Sequence, residues 1–119
     1  MHINLVTVGE TTLAEIQTDN VVLHSAQDAL DLLANCAYQG ADKIIIPKEI
    51  LTPDFFELKS GIAGEILQKF STYRAQLAIV GDFSAYTSKS LRDFIFESNK
   101  VGRINFVDSV EEAKRKLTT

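Results

Sequence analysis

Phe55-Phe56-Glu57-Leu58-Lys59-Ser60-Gly61-Ile62-Ala63-Gly64-Glu65-Ile66-Leu67-Gln68-Lys69-Phe70 joins an apolar run, a Lys-Ser-Gly corner and an amphipathic segment without interruption. Ile62, Ile66, Leu67, Phe70 and Tyr73 recur at helical spacing. The pattern predicts a helix from Gly61 to Tyr73 with one buried stripe. On either side lie short, continuously apolar runs, Lys43-Ile44-Ile45-Ile46 and Gln76-Leu77-Ala78-Ile79-Val80. Runs of that length and β-branched content are strands covered on both faces. A strand, a crossover helix and a second strand make a parallel βαβ unit, and that unit sets the class of the fold.

The same alternation continues outward. Ser84 to Thr87 is a polar loop, and Leu91, Phe94 and Ile95 mark the inner face of a helix that Gly102 closes. Ile104-Asn105-Phe106-Val107 is a last strand. Asp108 is placed to cap a final helix with Val110, Ala113 and Leu117 inward. Towards the start, Ser25 and Asp28 form a capping-box pair ahead of a helix with Ala26, Ala29, Leu30, Leu33, Cys36 and Ala37 on one face, and Gly40 ends it. Ile3 to Val8 and Thr12 to Gln17, split by Gly9-Glu10, read as a hairpin. Val21-Val22-Leu23 reads as a third short strand or an extended lead into the first helix. Thr52-Pro53 opens a short helical turn, and Phe55, Phe56 and Leu58 anchor that connection. The expected order is β-β-β-α-β-α-β-α-β-α, a mixed α/β sheet in one domain over residues 1–119 with no linker or repeat.

Composition narrows the function classes. The 119 residues are 45% hydrophobic and 24% charged with a net charge of −4, which argues against nucleic acid or an anionic membrane as the main partner. Lys114, Arg115 and Lys116 follow Glu111 and Glu112 on one predicted helix and read as a solvated face. No window approaches the roughly 18 apolar residues of a membrane span, so a cytoplasmic protein is expected. Cys36 is the one cysteine and sits among apolar helical neighbours, where a small buried residue is expected. His2 is terminal, and His24 lies at a strand–helix junction. With no HxxxH or CxxC spacing, no metal or cofactor is expected.

No catalytic motif stands out. Gly81-Asp82-Phe83-Ser84-Ala85-Tyr86-Thr87-Ser88-Lys89-Ser90 superficially resembles a phosphate loop but lacks the second glycine before the Lys-Ser pair. What remains is a pair of loops at the C-terminal edge of the parallel strands, where ligands favour binding. One carries Lys59, Ser60 and Gly61, the other Ser84, Thr87, Ser88 and Lys89. Each leads into a helix N-terminus, whose free N–H groups favour an anion, so a small anionic ligand is one expectation. The alternative is that these hydroxyls only cap helices.

Two resemblances add to this reading. The Phe55–Phe70 string, Leu77-Ala78-Ile79-Val80-Gly81-Asp82-Phe83 and Thr87-Ser88-Lys89-Ser90-Leu91-Arg92-Asp93-Phe94 resemble a family of short bacterial proteins known only as a domain of unknown function. More distantly, the element order, the Ser60-Gly61-Ile62 corner and Ile104-Asn105-Phe106-Val107-Asp108-Ser109-Val110-Glu111-Glu112-Ala113 are similar to STAS domains, the sulfate-transporter and anti-sigma-factor-antagonist group. In the antagonists a serine or threonine before the glycine of this corner is phosphorylated by a partner kinase, and Ser60 matches that position. Leu58 and Lys59 stand where the motif has Asp and Ser, and the Ile46–Ser60 connection is longer. The resemblance implies a STAS-like, non-enzymatic regulatory module with a protein partner and a phospho-switch at Ser60. Exposed apolar residues of the hairpin or of the Phe55-Phe56 insert make a homodimer a further expectation.

Overall fold

The structure, a computed structural model, describes all residues 1–119. Five strands, β1 (His2–Val8), β2 (Thr11–Gln17), β3 (Lys43–Pro47), β4 (Gln76–Val80) and β5 (Ile104–Val107), form one sheet in the order β1-β2-β3-β4-β5. β1 and β2 pair antiparallel, Leu5 opposite Ala14; every other pair is parallel, as the alternating pattern requires. Four helices complete the mixed α/β fold: α1 (Ala26–Tyr38), α2 (Ile62–Thr72), α3 (Lys89–Val101) and α4 (Val110–Thr118).

Strand order equals chain order, so successive crossovers of one hand place α1, α2 and α3 together on one face. The larger core lies there. Ala14, Ile16, Ile44, Ile46, Leu77, Ile79 and Phe106 meet Leu32 and Cys36 of α1, Ile66 and Phe70 of α2 and Leu91 of α3. On the other face Leu13, Ile45, Ala78 and Val107 meet only Ala113 and Leu117 of α4. The period-two split of each strand between these cores explains why β3 and β4 read as continuous apolar runs.

Four expectations are corrected. Of the two expectations for Val21–Leu23 the extended lead into α1 holds and the third strand does not: only Leu23 bridges, to Leu51, outside the sheet. The sheet therefore opens β-β and holds five strands. On α1 the buried residues are Ala29, Leu32, Leu33 and Cys36; Ala37 is exposed and Leu30 half-buried, because the stripe follows i, i+3, i+4, i+7 from Ala29. Tyr73 is the C-cap of α2 and is 60% exposed, since the helix stops at Thr72 and its buried stripe ends with Phe70. Ser109, in an extended conformation, caps α4 by accepting from Glu112 N, whereas Asp108 lies one residue outside. The Ser25 cap holds: its Oγ accepts from Asp28 N, while Asp28 Oδ2 accepts from His24 N.

Candidate functional site

The chain leaves β3 at Pro47 and needs three short 3-10 turns, Lys48–Ile50, Pro53–Phe56 and Leu58–Ser60, to reach α2. Their backbone is tied down by Val22 N and Leu23 N, which donate to Ile50 O, and by Thr52 N, which donates to Leu23 O. Phe55 and Phe56 are buried, as anchors of this connection should be. Ser60 follows at the exposed corner. Its Oγ donates to Asp54 O at 2.6 Å and accepts from Ile62 N at 3.2 Å. One hydroxyl thus ties the middle turn to the first amide of α2. Gly61 takes φ 80°, a left-handed conformation that lets the chain pivot into the helix, and no side chain caps α2 from that position. Lys59 and Gly61 are exposed beside it.

The second loop leaves β4 at Gly81. Ser84 donates to Asp82 Oδ1 through both its hydroxyl (2.6 Å) and its amide (2.9 Å). These bonds, with Lys48 adding a smaller pull, hold the exposed Asp82 carboxyl below the usual carboxylate range. Ser88 caps α3 by accepting from Leu91 N, Lys89 pairs with Asp93 at 2.7 Å, and Thr87 just before them is exposed. Lys89 and Arg92 border an open hollow on α3 together with Asp93 and Phe96.

The two loops do meet, through residues that sequence reasoning did not single out for the site. Phe56 stacks on Tyr86 with ring centres 4.8 Å apart and planes at 16°. Phe83 packs on Phe106 edge-on at 5.3 Å. Lys48 Nζ lies 5.0 Å from the Tyr86 ring centre and donates to Asp82 O at 3.0 Å. A Cβ added to Gly81 would stand 2.6 Å from Lys48 Cδ, so this glycine makes room for the lysine stem. Lys59 and Ser60 share no hydrogen bond with Ser84, Thr87, Ser88 or Lys89, and none of the four principal cavities is lined by members of both sets. Lys48 carried one legible signal: it follows a central strand directly, at the edge where functional groups gather. Tyr86 carried none, because its partner lies thirty positions away (residue 56 against 86).

The other polar groups are structurally employed. A hollow of about 560 Å³ opens between the ends of β4 and β5, bordered by Asp82, Asn99, Asp108, Glu112 and Lys116. No group of three or more His, Cys, Asp or Glu side chains converges there or elsewhere as a metal site. Arg115 pairs with Glu112 on the same helix. His24 Nδ1 lies 3.2 Å from Asp28 Oδ2 at the surface. Burial pushes the Cys36 thiol up to about 11, which keeps it protonated and inert. No helix is long and apolar enough to cross a membrane.

The family described as a domain of unknown function, DUF4180, matches residues 8–117. No curated protein matches the sequence. Two structures of the Thermotoga maritima protein TM1081 are similar in shape. Its solution structure is 12% identical, with 98% of this chain and 89% of that chain covered and a TM-score of 0.49. Its crystal structure, described as that of a candidate anti-sigma factor antagonist, is 16% identical, with 98% and 95% covered and a TM-score of 0.48.

Proposed function

The chain belongs to the DUF4180 family, a domain of unknown function, and on that premise we propose that it is a non-enzymatic, STAS-like regulatory module over residues 1–119 that docks a partner protein at the Ser60 corner. The observation that carries this reading is the pair of hydrogen bonds of Ser60 Oγ, one donated to Asp54 O and one accepted from Ile62 N, on an exposed residue at a helix start. A hydroxyl so placed is both accessible and structurally consequential. Phosphorylation would remove the proton it donates to Asp54 O and add a charge of about −1.5 to −2. The α2 N-terminus tolerates that charge, while along the chain Asp54, Glu57 and Glu65 outnumber Lys59 around Ser60. Such a change loosens the brace and repels an acidic partner in one step.

The test is affinity purification from the native cell with wild-type, Ser60→Ala and Ser60→Glu protein, read by mass spectrometry together with the phosphorylation state of Ser60. A partner kept by Ser60→Ala and released by Ser60→Glu is the expected outcome, because both variants lose the donated bond and only one adds charge. Equal retention by all three removes the switch.

A second reading has one favouring observation, the two cations Lys89 and Arg92 beside the open hollow on α3. In that reading Ser84, Thr87, Ser88 and Lys89 hold a small anionic ligand, and Lys59, which lines none of that hollow, would have to swing in from the neighbouring loop. Ligand-induced thermal shifts that survive Lys59→Ala and Lys89→Ala eliminate it.

A further inference from the structure

The two edges of the sheet are finished differently. At β5, Leu77 N donates to Arg103 O and Gly81 N to Val107 O, so the alternate residue Phe106 turns its backbone groups outward. Both are taken by one side chain. Phe106 N donates to Asn99 Oδ1 at 2.6 Å, and Asn99 Nδ2 donates back to Phe106 O at 3.2 Å. The strand has only four residues and lies under α3. This is a guarded edge.

β1 has no such guard. It runs for seven residues, paired with β2 along its whole length, and contains no proline and no Asp, Glu, Lys or Arg. Every second residue must present its N–H and C=O away from β2. No loop or side chain of the chain hydrogen-bonds to residues 2–8 from that side. Leu5, at the strand centre, is 43% exposed. A long, uncharged, unprotected edge is a template for another strand.

We propose that β1 is a homotypic interface, pairing antiparallel with β1 of a second copy about a two-fold axis through Leu5 and joining the two sheets into one. Self-complementarity selects a second copy as the occupant. In that register His2 faces Val8, Ile3 faces Thr7, Asn4 faces Val6 and Leu5 faces its own counterpart, which is the isologous pattern of a closed dimer. No like charges are brought opposite each other, and aliphatic or β-branched side chains occur in every cross-strand pair. Leu5 shares its face with Ile3 and Thr7, opposite Ala14, Ile16 and Thr12 of β2, so the pair closes over the exposed leucine on the helix-bearing side of both sheets. One strand pair is a small interface, so the dimer depends on concentration. The inference stands apart from the Ser60 reading, since β1 is an edge strand and the Ser60 corner follows the central strand β3.

Sedimentation velocity from about 1 to about 200 µM tests it, a range that brackets interfaces of this size. Wild-type protein is expected to pass from monomer to dimer. Leu5→Lys and Leu5→Glu, each placing like charges at the axis, are expected to weaken dimerisation at least tenfold with circular dichroism and melting temperature retained. An equimolar mixture of the two is expected to form a heterodimer. A wild type that stays monomeric throughout, a Leu5→Lys protein that still dimerises, or variants that fail to pair with each other would each overturn the proposal.

Discussion

Arg74 is the one non-glycine residue with a positive φ, 56°, and it occupies the position after α2 that Gly40 and Gly102 fill after α1 and α3. The left-handed conformation costs a residue with a Cβ about 1 kcal/mol or more relative to glycine. Arg74 N donates to Ser71 O, and its side chain makes no hydrogen bond or ion pair that offsets the cost. Arg74→Gly should therefore raise stability by about 0.5–1 kcal/mol in urea unfolding, the relief being partly offset by a freer unfolded chain. Individual residues were legible wherever a local rule decides them. Gly40 and Gly102 announce helix ends, and Ser25 announces a start. Asp108 and Ser109 are equally good caps by type, and only the extended backbone at Ser109 selects one of them. Ser60 was legible as a hydroxyl at a helix start, but its bond to Asp54 O depends on the intervening turn and has no sequence signature.

Between β3 and α2 the chain forms no long regular element, yet backbone bonds to Ile50 and Leu23 and a ring stack brace it. Phe56 and Tyr86 form a stacked clasp between the loops that follow β3 and β4, with Lys48 laid across the Tyr86 ring. The half-buried Tyr86 makes no side-chain hydrogen bond, so its ring rather than its hydroxyl matters. Tyr86→Phe should leave the melting temperature nearly unchanged. Tyr86→Ala should cost about 2–3 kcal/mol, the loss of a partly buried ring and its stacking, and proteolysis should then cut first within residues 48–60. Equal stability of the two variants would show that the clasp contributes nothing. Helices and strands were read from periodicity because each carries its own repeat. The clasp joins residues from separate loops, and neither loop's composition points to the other. In the sequence the edge is marked by hydroxyls and lysines, and in the folded chain it is held together by rings.

At the scale of the molecule, alternation of strand and helix made the parallel half of the sheet legible, and Gly9-Glu10 made the hairpin legible. The allotment of three helices to one face and one to the other follows from sequential strand order. That order leaves no point at which successive crossovers diverge to opposite faces, the feature that opens a ligand crevice in doubly wound sheets. An exposed corner and a sheet edge, rather than a crevice between crossovers, are accordingly the two surfaces proposed for contact with other molecules. Of these, the edge has a property that Asn99 decides. With β5 closed, a copy that pairs through β1 as proposed would have a single adhesive end, and assembly would stop at two. Asn99→Ala would free the Phe106 amide and carbonyl and raise the valency of the molecule from one to two. Beyond a loss of about 1–3 kcal/mol in stability from the unpaired groups, the expected result is open-ended linear growth, visible as rising light scattering under conditions where wild-type protein stays clear. A variant that merely melts earlier and scatters no more than wild type would show that β5 has another stop. One amide side chain on α3 would then be what separates a discrete pair from a fibre.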